Sequence, residues 1–487
     1  YRTLKDSGVI GLRNESTLYD YSHIIPAATG FQDEVIIMLD EESEKKGLYN
    51  EEHTRYVGIL QDEIKVKQDL VYDPNTGQLI DFVNLGDIGN SLANLEKQIN
   101  ENDENSAPAK ATHMLVLMVR GATSDLKFPL ACFATSGATA PVLYDIIWQA
   151  VELIETETGL HVLFVTCDGA SPNRKFFNMH KECDEEVVYS TKNPYSLAGE
   201  SILFISDVPH LVKTTRNCMA NSYSHKMTRK LWKDGRDISW LHVVNLYEEY
   251  IESNIYSEAH KLTRAHIDLT AFSTMKVSLA GQVLSSSVAN ALERNFDESV
   301  SETVKLIRLM DRFFDCLNTR SLKEAKVKLK SDLAPYTDPE DDRLHFLVDE
   351  FLGYFDIWED SVQNRPGNYS KDDLNAMQLS KQTKTGLKIT VNSIVYCIKF
   401  LLQKGAKFVL TEAFNQDPLE QLFGHCRHQQ GSNSDPSVYQ AQHSVNQLRV
   451  MGSTAIAGIN GNTKRLGKPN IVVDNSPIPR RKPHKKD

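Results

Sequence analysis

None of the seven cysteines forms a Cys-x-x-Cys pair, and their odd number rules out a fully paired disulfide framework, so a reducing compartment is expected. A zinc set from Cys167, His180 and Cys183 matches no established ligand spacing, and buried thiols are the simpler reading. No stretch approaches the ~18 consecutive apolar residues of a membrane span, so no membrane partner is expected. Positive charge is also short: 54 Lys and Arg face 65 Asp and Glu, a net charge of −11. That excludes a simple nucleic-acid coat, whose affinity comes from neutralising phosphates, and confines any DNA contact to patches. No Gly-x-x-x-x-Gly-Lys-Ser/Thr sequence occurs, which argues against a P-loop NTPase. The chain opens on Tyr1 without a basic-then-apolar leader, so a fragment or processed form lacking a secretory signal is expected.

What is present suits a globular protein. The 487 residues, 41% hydrophobic and 24% charged, suffice for several cores, at the usual ~100–200 residues per domain. Acidic runs at Glu41 to Glu52, Glu101 to Glu104 and Asp338 to Asp342 look like solvated loops, whereas Lys213 to Lys233 and Arg480 to Lys486 are basic.

Residues 1–50 read as a helical segment in which Ser16 could cap a helix, the end of a DNA-binding helix-turn-helix region. From Tyr56 the texture becomes strand-like. Gly58 to Lys67 alternates, and Leu70-Val-Tyr and Leu79-Ile-Asp-Phe-Val flank the turn Asp73-Pro-Asn-Thr-Gly77. A third strand is expected at His113 to Arg120, with an extension at Phe128 to Ala134. Val142 to Thr158 carries apolar residues at helical spacing, and His161 to Cys167 is an apolar run typical of a central strand. Ser201 to Ser206 repeats that pattern, and both runs end on an aspartate, Asp168 and Asp207.

Three strands, a helix, a strand, a helical segment and a strand form the opening order of an RNase H-like fold. Strand signals then cease for about the length of a domain. The expected class is α/β: an RNase H-like mixed sheet flanked by helices, interrupted by a large all-α insertion and preceded by a small N-terminal helical segment. The expected divisions are 55–217 and 386–450 for the two parts of the catalytic domain, 218–385 for the insertion and 451–487 for a basic tail. Within the insertion, helices are expected at Leu241 to Ile251, Val277 to Leu292, Val304 to Leu317 and Leu344 to Phe355.

Chemistry at a phosphodiester needs carboxylates from separate elements to hold two cations ~3.5–4 Å apart. Asp62 on the first strand and Asp168 at the end of the central strand would be neighbours in such a sheet. Spacing alone does not separate Asp62 from Glu63, Asp69 or Asp73. Asp168 also fits a helix-capping turn, and Asp207 competes with it as a second strand-end acid. Glu420 could supply the third carboxylate, although Asp417, Pro418 and Glu420 equally well form a helix start.

Asp62-Glu-Ile-Lys-Val-Lys, Thr166-Cys-Asp-Gly-Ala-Ser-Pro-Asn-Arg-Lys-Phe-Phe, Asp207-Val-Pro-His-Leu-Val-Lys-Thr-Thr-Arg-Asn and Asn415-Gln-Asp-Pro-Leu-Glu420-Gln-Leu-Phe-Gly resemble the P-element-type transposases. That group is often fused to a THAP zinc domain. The resemblance, from about residue 14 to 460, implies excision of a DNA element by water attack and then attack of the freed 3′-hydroxyl on target DNA. It implies Asp62, Asp168 and Glu420 as catalytic and metal-binding residues, with two Mg²⁺, a hard ion that shares carboxylate and phosphate oxygens. It further implies GTP as a non-hydrolysed positioning cofactor. Lys261, Lys276, Val277, Ser285, Asp315, Asn318 and Asp417 are the candidate contacts, although Val277 also lies on a helix's apolar face. Transposon-end and target DNA are the implied partners, with Lys213, Arg216, Lys226, Arg229, Lys230, Arg427 and the basic tail as candidate contacts. A homo-oligomer is expected because both element ends must be held together, and a nuclear location is expected as well. The alternative is a domesticated, catalytically silent descendant that binds DNA or protein.

Overall fold

The computed structural model describes residue 14 and residues 28–451, except 74–77, 81, 87–89, 92–108, 183–185, 223–227, 254–258 and 429–434. Lys226, Cys183, Ser16, the turn at 74–77 and the tail from 452 therefore lie outside the described residues.

Six strands make one mixed sheet. β1 (Tyr56–Lys65), β4 (His113–Gly121), β5 (Lys127–Thr135), β6 (His161–Cys167), β7 (Ser190–Lys192) and β8 (Ser201–Ser206) stand in the order β5-β4-β1-β6-β8-β7. β1 is antiparallel to β4, and β4 to β5, the latter pair joined by a short connection as a hairpin allows. β1, β6 and β8 run parallel, and β7 closes the edge antiparallel to β8. The expected hairpin strands β2 (Val71–Asp73) and β3 (Gln78–Ile80) pair only with each other, so they leave the main sheet as a separate ribbon. β7 went unanticipated because Ser-Thr-Lys carries no apolar signal.

Strand alternation gives the sheet two unlike faces. On one face, called the back, Val57, Ile59, Val165 and Phe204 share a core with α1 (Asp33–Lys45), α2 (Ala140–Glu157) and α3 (Ser171–Asn178). On the front, Leu60, Ile64, Phe164 and Ile205 join a core that continues through α4 (Val208–Ala220), α9 (Ser301–Cys316), α11 (Lys381–Gln403) and α12 (Asp417–His428). The insertion thus shares its core with the catalytic sheet.

The insertion also holds α5 (Trp240–Ser253), α6 (Ala271–Met275), α7 (Val277–Val283), α8 (Ser286–Asn295) and α10 (Leu352–Gln363). The single helix expected over Val277 to Leu292 is two, because Leu284 leaves helical geometry (φ −85°, ψ 53°) and Ser285 is extended. A small ribbon, Trp232–Lys233 with Arg236–Asp237, interrupts the all-helical expectation. The expected boundaries at 217/218 and 385/386 both fall inside helices, α4 and α11. α11 is long and apolar enough to cross a membrane. Its apolar positions Leu387, Val391, Ile394 and Ile398 are buried in the front core, and Thr390 exchanges hydrogen bonds with the Ser206 backbone. α13 (Val438–Met451) closes the fold against β5, where Arg449 donates to the carbonyls of Pro129 and Leu130.

Candidate active site

The register of the parallel strands brings three acids to one end of the sheet. Leu60 is level with Thr166, and Cys167 with Ser206. Two residues beyond the first pair are Asp62 and Asp168, and one beyond the second is Asp207. Asp62 follows Leu60 onto the front face. Glu63 points the other way, where its carboxylate accepts from Thr135 Oγ1 (2.6 Å) and Ala138 N (3.1 Å). Asp69 is exposed beyond the strand, and Asp73 lies in the separate ribbon. Alternation thus puts Asp62, and not Glu63, on the front face.

Asp168 is held by its own turn: its Oδ1 accepts from Ala170 N (2.8 Å) and Asn173 Nδ2 (2.7 Å). Gln61, 1% exposed, donates from Nε2 to Asn173 Oδ1 at 2.7 Å, tying β1 to α3. Asp207 does different work. Its Oδ2 accepts from His210 N (2.9 Å) as the cap of α4, and its Oδ1 accepts from Gln416 N (2.9 Å).

That second bond belongs to a clamp that delivers Glu420. Thr166 Oγ1 donates to Phe414 O (2.9 Å), Gln416 Nε2 donates to Gln61 O, and Phe414 packs edge-on against Phe164. The strand ends of β1, β6 and β8 each bind residues 414–416, so α12 begins directly over them. Glu420 N donates to Gln416 O (3.1 Å), placing the third carboxylate in the first turn. Sequence reasoning missed Gln61, Asn173 and Gln416 as positioning residues. A buried-strand glutamine and an amide five residues after Asp168 were the available signals.

Electrostatics reflect this crowding. Burial, then the charge of Asp168 and more weakly those of Glu420 and Asp207, push the Asp62 carboxyl up to about 8. Burial likewise pushes Asp207 up to about 7. Burial raises Glu420, opposed by Lys213 and Arg427. Oxygen donors that repel one another suit a hard divalent cation. Among the described residues, no three His, Cys, Asp or Glu side chains are already closed around a metal position. The donor chemistry fits such an ion.

The nucleotide candidates divide into groups. Lys276 caps α7, with its ammonium 4.2 Å from the Phe272 ring centroid, and Val277 begins that helix. Lys261 is exposed. Ser285 precedes α8, where Ser286 donates to Asp311, and Lys330 bridges Asp311 and Asp315. Asn318 and Asp417 meet on one guanidinium: Arg320 Nε donates to Asn318 Oδ1 (3.2 Å) and Nη2 to Asp417 Oδ2 (2.8 Å).

Of the DNA candidates, Lys230 is exposed, Lys213 and Arg427 are partly so, and Arg229 donates to the carbonyls of Asn375 and Gln378. Arg216 is a correction. It is 0% exposed and donates to the carbonyls of Ser273 and Thr274, so it anchors α6 to α4 and is shut away from a phosphate at the surface. The zinc reading also loses support, since His180 uses both ring nitrogens, one toward Phe176 O and one accepting from Trp148. The six cysteines within the described residues are free and buried.

Comparison with known proteins agrees with this architecture. Residues 27–181 match the family described as TNP-like, RNase H N-terminal domain, and residues 209–330 the TNP-like, GTP-binding insertion domain. The chain is 24% identical over 285 residues to the Transposable element P transposase of Drosophila melanogaster, covering 56% of this chain and 33% of that protein. It therefore spans about a third of that curated relative. Its fold matches a Drosophila P element transposase strand transfer complex with a TM-score of 0.68 at 19% identity, over 92% of this chain and 87% of the other. A mixed sheet, a shared-core helical insertion and matches to two domain families in chain order agree with one another: the chain carries a TNP-like RNase H N-terminal domain followed by a TNP-like GTP-binding insertion domain, and it is similar to the P-element transposase.

Proposed function

We propose that the chain is the core of a cut-and-paste DNA transposase that hydrolyses and rejoins phosphodiesters with Asp62, Asp168 and Glu420. The observation that carries this reading is that β1, β6 and α12 each bring an acid toward one sheet end, near enough for Asp168 and Glu420 both to raise the Asp62 carboxyl. Two Mg²⁺ held by these residues would supply activation of the attacking oxygen and stabilisation of the leaving oxygen. The chain's own part is placement: Asn173 orients Asp168, and the 414–416 clamp sets Glu420 over the strands. Asp207 caps α4 by accepting from His210 N, and Lys213 balances Glu420.

Transposon-end DNA and target DNA are the proposed substrates, approached from the Glu420 side where Lys213 and Arg427 act, with Lys230 as a further candidate contact. GTP is proposed as a non-hydrolysed cofactor of the insertion, resting on the match to a GTP-binding domain family and on the absence of a P-loop. A homo-oligomer working in the nucleus completes the reading. One observation favours the second reading, a silent DNA- or protein-binding descendant: no metal cluster is preformed among the described residues.

A Mg²⁺-dependent strand-cleavage and strand-transfer assay tests the proposal. Asp62→Asn, Asp168→Asn and Glu420→Gln should each lower the rate by roughly 10³-fold or more while leaving DNA binding within a few-fold. Equal cutting by all four proteins would remove the triad, and no cutting by any would favour the silent descendant. Calorimetry with GTP and an ATP control tests the cofactor, and Lys276→Ala should weaken any guanine-specific heat.

A further inference from the structure

The loop that leaves α9 is bolted to the segment that enters α12. Thr319 and Thr411 exchange bonds, Thr319 N to Thr411 Oγ1 and Thr411 N to Thr319 Oγ1, both 2.9 Å. Thr411 Oγ1 also donates to Cys316 O (3.1 Å), and Glu412 N to Thr319 O (3.1 Å). These contacts fix the backbone. One side-chain contact reaches the helix itself: Arg320 Nη2 donates to Asp417 Oδ2 at 2.8 Å, while its Nε is oriented by Asn318, which also accepts from Asn415 Nδ2 (3.4 Å). Asp417 is only 7% exposed, and Arg320 is its salt-bridge partner among the described residues.

A buried carboxylate at the first position of a helix needs a cation close by, and a bidentate-capable guanidinium also fixes direction. Asp417 and Glu420 share the first turn of α12, so whatever turns Asp417 turns Glu420. The sheet side of the same segment is held by Asp207, Gln61 and Thr166 through backbone and amide contacts, none of which reaches beyond Gln416.

We propose that Arg320, on the insertion, is a positioning residue that sets Glu420 toward Asp62 and Asp168 by holding Asp417. The inference rests on the proposed role of Glu420 as a metal-holding carboxylate. The insertion then does more than fill a gap in the chain: it completes the first turn of the catalytic helix.

The test uses the whole chain, with Mg²⁺ alone as probe, and has two readouts. In hydrogen exchange without metal, Arg320→Ala should speed the Leu419 and Glu420 amides at least about 10-fold relative to those of α2, and Arg320→Lys should restore part of the protection. In Mg²⁺ titration calorimetry, Arg320→Ala should weaken binding about 10-fold, Arg320→Lys less, and Arg320→Ala with Glu420→Gln no more than Glu420→Gln alone. Unchanged exchange at 419–420, or additive losses in the double variant, overturns the proposal. Should Arg320→Ala fail to fold, Asp417→Asn, which keeps the shape and removes the charge, replaces it with the same expectations. If the unaltered chain binds no Mg²⁺, the metal reading of the site fails, while the exchange result still decides whether Arg320 positions α12.

Discussion

The two faces of the central sheet are built on different physics. The back is chiefly an apolar sandwich in which Ile147, Val151 and Ile154 of α2 share a core with Val57, Val162 and Val165, its polar groups such as Glu63 and Gln61 being held at the strand end. The front mixes the same kind of core with strand-end acids, a buried arginine and hydrogen-bonded clamps between residues more than 180 positions apart. Stability can therefore be lost on either face, but geometry at the acids should be lost mainly from the front, with α3 the exception because its Asn173 orients Asp168. Area burial tolerates small displacements, whereas directional hydrogen bonds do not.

The sharpest way to break both faces at once lies between β1 and β6. A Cβ added to Gly58 would meet the Phe164 ring at 2.0 Å, and Phe164 cannot retreat because Phe414 packs edge-on against it at 5.0 Å. Gly58→Val should cost ~3 kcal/mol or more in thermal or urea unfolding, and should also displace the 414–416 segment. A stable variant with full strand cleavage would show that Phe164 does not couple the sheet to the clamp.

Next is a test of the back alone. Ile147 is 2% exposed, and Ile147→Ala should lower stability by ~2–4 kcal/mol. The Mg²⁺-dependent cleavage rate per folded molecule should stay within about twofold. A large rate loss in the remaining folded protein would mean that the faces are not separable.

The same contrast explains what the sequence disclosed. Apolar runs such as His161 to Cys167, and the helical stripe of α2, are local patterns created by burial, so the sheet's main strands and the back helix were legible. Asp168 could be placed because a buried strand ending on an acid is also a local pattern. Front-face relations are long-range: nothing near Gln416 announces that its amide meets Asp207, and nothing in Arg216 says that it turns inward to the Ser273 and Thr274 carbonyls. Burial of that guanidinium was invisible because a surface stripe and an anchoring arginine have the same spacing. The break at Leu284 was hidden too, since Val277, Ala280, Val283 and Val288 keep an apolar texture across two helices.

A smaller effect tests the polar character of the front. Asp207 is buried, with its carboxyl raised to about 7, chiefly by burial. A carboxyl raised in the folded state contributes stability that is complete below its unfolded value near 4 and is lost as pH climbs through about 7. In metal-free protein, Asp207→Asn should remove that fall, gaining ~1–2 kcal/mol at pH 8 relative to pH 5 when unfolding is followed at both. Asparagine keeps only one good acceptor where aspartate serves both His210 N and Gln416 N, so strand cleavage should drop several-fold even as stability improves. An unchanged pH profile would show that Asp207 is not the buried charge that the front face tolerates for geometry.

The smallest expected effect probes whether the back is as plain as it looks. Ile37 on α1 is 59% exposed, beside buried Val35, Ile36 and Leu39. A single exposed apolar residue is ordinary, and its replacement by lysine should change stability by less than about 0.5 kcal/mol. Ile37→Lys should therefore leave unfolding, Mg²⁺-dependent cleavage and sedimentation behaviour unaltered. A marked change in sedimentation with intact stability would mean that α1 is covered by another subunit. The back face would then be an assembly surface, and the division of labour between the faces would become one between catalysis and oligomer formation.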